Sequence, residues 1–216
     1  MFDEVQGNQT TARLARSRSP NALRKLYLKT GVTPSASGSA RGYLRDVTER
    51  DLGTHLETAL RGAIIADRWP KSGVDVIISI IEGDQDREVS KAEGEELWDT
   101  INVLSGCITV ASTALADAGI DCVDTVTGGV AALVDSGVPG ASPSIVVDPV
   151  PCEHEKVLAA CCVAYLPTRG EITNLWFKGN LSVADMPLYT QMVEKSILAS
   201  RAANNVLVDA LHETVR

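Results

Sequence analysis

The spacing of apolar residues predicts helices on either side of a strand-rich centre. From Thr48 to Trp69, the residues Leu52, Leu56, Ala59, Leu60, Ala63 and Ile64 recur at three-and-four spacing, which predicts a helix. Thr48 and Asp51 give it a capping-box-like start, and Pro70 closes it. Between Leu97 and Ile120 the stripe Leu97, Ile101, Leu104, Ile108, Ala111, Leu115 and Ala118 predicts a second helix. Gly119 is placed to end that helix in a left-handed cap. Its small residues Ser105, Gly106, Ser112 and Thr113 would let another element approach closely. The uncharged run is too short and too rich in Asn, Ser, Thr and Gly for a membrane span, so the expectation is a buried core helix.

Strand patterns fill the rest. Leu23–Val32 alternates, with Leu26 and Leu28 on one face. Ser72–Asp84 reads as a strand apolar on both faces, and Thr125–Asp135 and SIVVDP as further strands. Val157–Leu166 and Glu171–Phe177 read as an antiparallel pair joined at PTRG. Asp84–Glu96 is a charged loop, and Leu181–Val215 a closing helix that Ser182 can cap and that tolerates Pro187 early. The order implies α+β or α/β, a mixed sheet covered by helices. Residues 1–22 are polar and are expected to form a disordered tail before a domain over 23–216.

Charge changes this picture only by its placement. The net charge is −8, but residues 1–50 hold nine Lys/Arg against four Asp/Glu and the remainder is strongly acidic. A freestanding nucleic-acid binder is usually basic over its folded part, so this chain would use its basic end or borrow charge from partners. Five cysteines with no C-x-x-C pattern, three of them in apolar runs, imply neither a disulfide framework nor a zinc site and fit a reducing compartment. No phosphate-binding loop, dinucleotide fingerprint, zinc motif or nucleophile elbow occurs.

Local candidates remain double-edged. Asp148 could be a strand-end acid, or simply start a turn before Pro149. His154 lies between Glu153 and Glu155, acids that could raise its pKa, in what is otherwise an ordinary solvated loop. Asp117 closes a helix against its dipole and needs a backbone or arginine partner. Arg41, Arg45 and Arg50, with Tyr43 interleaved, could contact a phosphate backbone; they could equally pair with Asp46, Glu49 and Asp51. Gly128-Gly129 inside a strand reads as a bulge or close packing.

Taken together, the stretches KTGVTPSASGSA, ERDLGTHLETALRGAIIADRWPKSGVDVIISIIEGD, ITVASTALADAGIDCVDTVTGG, IVVDP and AYLPTRGEITNLWFKG resemble the RNase PH family. Within it they are most similar to a non-catalytic type of eukaryotic exosome ring subunit. The resemblance implies an α+β fold of mixed sheet with packed helices, of the ribosomal protein S5 domain 2-like type. It implies a six-membered hetero-oligomeric ring of related subunits around an RNA channel, in nucleus, nucleolus and cytoplasm, with no cofactor, metal or membrane partner. Active members degrade RNA from its 3′ end with inorganic phosphate, using a Ser/Thr-Arg cradle at the start of the ALADAG helix and an acid pair after a later strand.

Carried over, the cradle falls on Asn102-Val103-Leu104, the first acid on Asp148 and the second near His154. Leucine offers no guanidinium fork for phosphate, and Glu93, Glu95, Glu96 and Asp99 would repel it. The resemblance therefore implies a subunit that does no chemistry, against the alternatives of a phosphorolytic exoribonuclease and of an unrelated small α/β enzyme. One departure stands out: Gly38-Ser39-Ala40 runs directly into Arg41-Gly42-Tyr43-Leu44, where family members carry several strands. A chain shortened between Ala40 and Arg41 would expose sheet edges and is expected to fold poorly alone.

Overall fold

The computed structural model describes residues 16–32, 40–41, 49–68, 70–79, 96–135, 142–150, 153–154, 156–179 and 185–214. Two short strands, β1 (Lys29–Thr30) and β2 (Ala40–Arg41), pair antiparallel. Helix α1 (Glu49–Arg61) and helix α2 (Glu96–Asp117) follow. The strands β3 (Thr127–Asp135), β4 (Ser144–Val147), β5 (Lys156–Leu166) and β6 (Glu171–Gly179) form an antiparallel sheet in the order β4-β3-β5-β6. Helix α3 (Met186–Thr214) closes the chain, with Pro187 in its first turn, where the missing amide costs nothing; Ser182 lies outside the described residues.

Sheet alternation divides the core. Even-numbered residues of β5 (Ala160, Cys162, Ala164, Leu166) join Ile101, Leu104 and Ile108 of α2 in one apolar cluster. Odd-numbered residues (Ala159, Cys161, Val163, Tyr165) join Met192 of α3 in another. Both faces are covered, which is why β3 and β5 read as nearly continuous apolar runs. Cys107, Cys161 and Cys162 are buried free thiols, as expected. By length and composition α2 could cross a membrane, but most of its apolar window is buried in this core.

The two glycines of β3 set the helix distances. A Cβ on Gly128 would fall onto the Ser105 backbone of α2, and one on Gly129 onto the Ser196 carbonyl of α3. Successive residues point to opposite faces, so one pair serves both helices. Hydroxyls then join the layers. Gly128 N donates to Thr109 Oγ1 at 3.1 Å, and Val126 N to Ser112 Oγ at 2.9 Å. Ser196 Oγ donates to the Cys161 carbonyl at 3.1 Å, and Ser200 Oγ to the Thr127 carbonyl at 3.0 Å. Each of these four hydroxyls is thereby paired, which removes the cost of placing it there.

Helix α2 ends as expected. Gly119 has φ of 69°, Gly119 N bonds Ala116 O at 3.0 Å and Ile120 N bonds Leu115 O at 3.0 Å, a Schellman cap. Asp117 finds its backbone partner in Gly31 N, 3.3 Å away. Ile101, Leu104, Ile108, Ala111 and Leu115 are buried as the stripe predicts.

Three expectations change. The first helix stops at Arg61 rather than continuing to Trp69. Gly62 lies against Thr173 of β6, leaving 2.6 Å for any added Cβ, and Ile64 forms an antiparallel bridge with Cys122 that draws the chain out of the helix. Leu23–Val32 yields only the two-residue β1, with Leu28 buried and Leu26 exposed. The stretch 72–79, expected as a strand, makes no ladder among the described residues. Val76 and Ile78 still pack against the α2 cluster, but Val74 is exposed and Ile77 is 88% exposed. A strand requires a neighbour for its backbone groups, and none is described here. A cleft of about 1030 Å³ lies beside it, lined by Leu56, Leu60, Ile64, Val74, Val76 and Ile120 among others.

The glycine constraint is open to direct measurement. Gly128→Ala or Gly129→Ala should each cost about 3 kcal/mol in urea unfolding followed through sheet amides, because backbone must move. Gly53→Ala in α1, with open space around it, should stabilise by about 0.5–1 kcal/mol.

Candidate functional site

The first turns of α2 and the end of β4 meet at one place. Asn102 Nδ2 donates to the Pro149 carbonyl, while Asn102 Oδ1 is buried without a partner among the described residues. Asp148 follows β4 in a left-handed conformation, φ 50°, which a short polar side chain tolerates. Its amide donates to the Val130 carbonyl at 2.9 Å, fixing it to the edge of β3. Leu104 points elsewhere, fully buried in the α2 cluster. The sheet and helix thus bring Asn102 to the residue that follows Asp148 and send Leu104 into the core.

An arginine cluster from the N-terminal segment covers Asp148. Arg24 grips the carboxylate through Nε at 2.9 Å and Nη2 at 2.6 Å, and its amide donates to Oδ2 at 2.7 Å. Arg18 reaches Asp148 at 3.2 Å and Glu153 at 3.0 Å. Arg16 reaches Glu153 at 3.4 Å and donates to the carbonyls of Ser19, Ala22 and Val147. Val147 N donates to the Pro20 carbonyl at 2.8 Å, so the segment also satisfies an edge amide of β4. Of the tail expected over residues 1–22, residues 1–15 lie outside the described residues, while Arg16–Ala22 packs on the sheet, where these acids and edge groups find partners.

The electrostatics follow from that grip. Burial alone would raise the Asp148 pKa, but the hydrogen bonds and charge of Arg24, with Arg18, hold it below the ordinary carboxylate value. His154 is shifted the opposite way from the expectation of a raised pKa. Burial and the nearby Arg16 hold it below its ordinary value, outweighing Glu153. Its Nε2 is buried without a partner among the described residues. A neutral imidazole and an arginine-saturated carboxylate make a poor acid pair. No cluster able to hold a metal occurs among the described residues.

Arg41 lies in β2 and Arg50 in the first turn of α1, and Arg45 lies outside the described residues. Sequence reasoning missed Arg16, Arg18 and Arg24. Their signal was the excess of positive charge in the first fifty residues facing an acidic remainder.

The sequence profile of the 3′ exoribonuclease family, domain 1 (RNase PH), matches residues 8–121. The chain belongs to the RNase PH family. It is 59% identical to the exosome complex component MTR3 of Chaetomium thermophilum, covering all of this chain and 94% of that protein. That alignment runs over 268 positions against 216 residues here, so the relative carries residues with no counterpart in this chain. It is 26% identical to exosome complex component mtr3 of Schizosaccharomyces pombe, over 84% of this chain and 64% of that one. The crystal structure of rice Rrp46 superposes with a TM-score of 0.66 at 14% identity, covering 88% of this chain and 96% of that chain, which confirms the fold.

The clasp is expected to weaken in acid. Asp148 contributes stability fully above the ordinary carboxylate pKa and loses it as pH falls through its depressed value. His154 adds to the same trend, since below its ordinary pKa the unfolded chain binds a proton that the folded chain resists. Asp148→Asn, which keeps a residue suited to φ 50°, should speed hydrogen exchange at the Arg24 amide roughly tenfold at neutral pH. Unchanged exchange would contradict the clasp.

Proposed function

We propose that this chain is a non-catalytic structural subunit of the RNA exosome core ring. It would support 3′-to-5′ RNA processing and decay in nucleus, nucleolus and cytoplasm, beside other RNase PH-like subunits. The observation that carries the reading is Leu104: the position matching the phosphate-holding arginine is a leucine with no exposed surface. A guanidinium there would have to enter an apolar cluster, at a cost that excludes it from a phosphate site. The arginine saturation of Asp148 supports the same reading, because a carboxylate held this way accepts no proton for a leaving group near neutral pH.

Membership in a ring is supported by the family and by the MTR3 names of the relatives. Arg41, Arg45 and Arg50 are proposed as RNA contacts, on their positive charge in an otherwise acidic chain. Shortening between Ala40 and Arg41 belongs to the same reading. The stretch 72–79 makes no ladder among the described residues and borders an open cleft, which supports that reading.

Incubation of the purified chain with labelled RNA and inorganic phosphate should release no nucleoside diphosphates; their release would instead establish a phosphorolytic exoribonuclease. Leu104→Arg should not create that activity and should destabilise the chain by about 4 kcal/mol.

A further inference from the structure

We propose that Ser19 is a phosphorylation site whose phosphate locks the N-terminal segment onto the sheet. Ser19 is exposed and is followed by Pro20. The two residues lie in a turn closed by Ala22 N donating to the Ser19 carbonyl at 3.0 Å. An exposed turn suits a kinase active site, and a proline at the next position, with no amide hydrogen, is the feature that proline-directed Ser/Thr kinases select. In the transfer, the Ser19 hydroxyl oxygen attacks the γ-phosphorus of ATP. The new O–P bond forms as the bond to the β–γ bridging oxygen breaks, ADP leaves, and the hydroxyl proton passes to the kinase's base.

Charge decides what the phosphate then does. Arg16 and Arg18 donate to carbonyls of the turn, Arg24 holds the Asp148 carboxylate that Arg18 also reaches, and Lys195 Nζ donates to Asn21 Oδ1 at 2.6 Å. The acids described in the same ion-pair cluster are Asp148 and Glu153. A phosphoserine adds about −1.5 to −2 and would bring the cluster close to neutrality rather than into repulsion. Arg16 is best placed to receive it, since its Nη2 already lies 3.1 Å from the Ser19 carbonyl while also holding the Val147 carbonyl of β4 at 3.0 Å. One guanidinium would then tie the phosphate to the sheet edge through charge-assisted bonds. Ser142-Pro143, the other exposed dipeptide of this kind among the described residues, has no such cations bonded to it.

The test uses the full chain carrying Thr33→Ala and Ser142→Ala, which leaves Ser19-Pro20 as its one Ser/Thr-Pro dipeptide. It is incubated with a proline-directed kinase and Mg-ATP, located by mass spectrometry, and followed by hydrogen exchange. The expected result is one phosphate on Ser19, with exchange at the Arg24 and Val147 amides slowed roughly tenfold. Arg16→Ala should abolish most of that slowing. Failure to modify Ser19 under conditions that modify Ser142 in the parent chain would overturn the site. Modification with unchanged or faster exchange would overturn the lock.

Discussion

Two adjacent residues without side chains hold the molecule together. Gly128 admits the backbone of α2 and Gly129 that of α3, so the central strand of the sheet touches a helix on each face at backbone distance. Close approach brings hydroxyls of Thr109, Ser112, Ser196 and Ser200 within reach of strand amides and carbonyls. Those bonds carry information that apolar packing lacks: they fix the helices along their axes as well as against the sheet. The position of the first turns of α2, where relatives in the family would be expected to hold phosphate, is therefore a consequence of how its middle is seated.

That seating separates packing from chemistry. The rotation that puts Ile101, Leu104 and Ile108 into the core turns Asn102 toward the loop after β4. Asn102 joins two elements through one bond to Pro149 and offers no positive charge. The carboxylate of Asp148, the residue before Pro149, is occupied by the chain's own arginines. The same strand-end acid that could serve chemistry now organises the N-terminal segment. Its partly buried network is retained because removing one partner would leave others uncompensated.

The helix-on-sheet half of this fold was legible from the sequence because its signals are local or strictly periodic. The stripe on α2, the cap at Gly119 and the paired patterns of β5 and β6 each stay within one element. Asn102, Leu104, Asp148 and His154 came from the family resemblance rather than from local pattern, and only packing shows what each touches. Three readings needed tertiary information. Residues 72–79 have strand composition without a described neighbour, and composition cannot supply one. The first helix ends where the Ile64–Cys122 bridge competes with it. Arg16 and Arg18 looked like part of a disordered tail and Arg24 like part of a strand, because their partners lie more than a hundred residues away in sequence. The sign of the His154 shift depended on the same distant arginines, which outweigh the acid next to it.

The proposed scaffold role requires that the chain assemble. The decisive measurement is the mass of the complex formed when this chain is co-expressed with the other ring subunits, read by native mass spectrometry. One copy of this chain in a ring-sized hetero-oligomer is the expected result. Recovery of the chain only as free or self-aggregated protein, while the remaining subunits associate without it, would contradict the account.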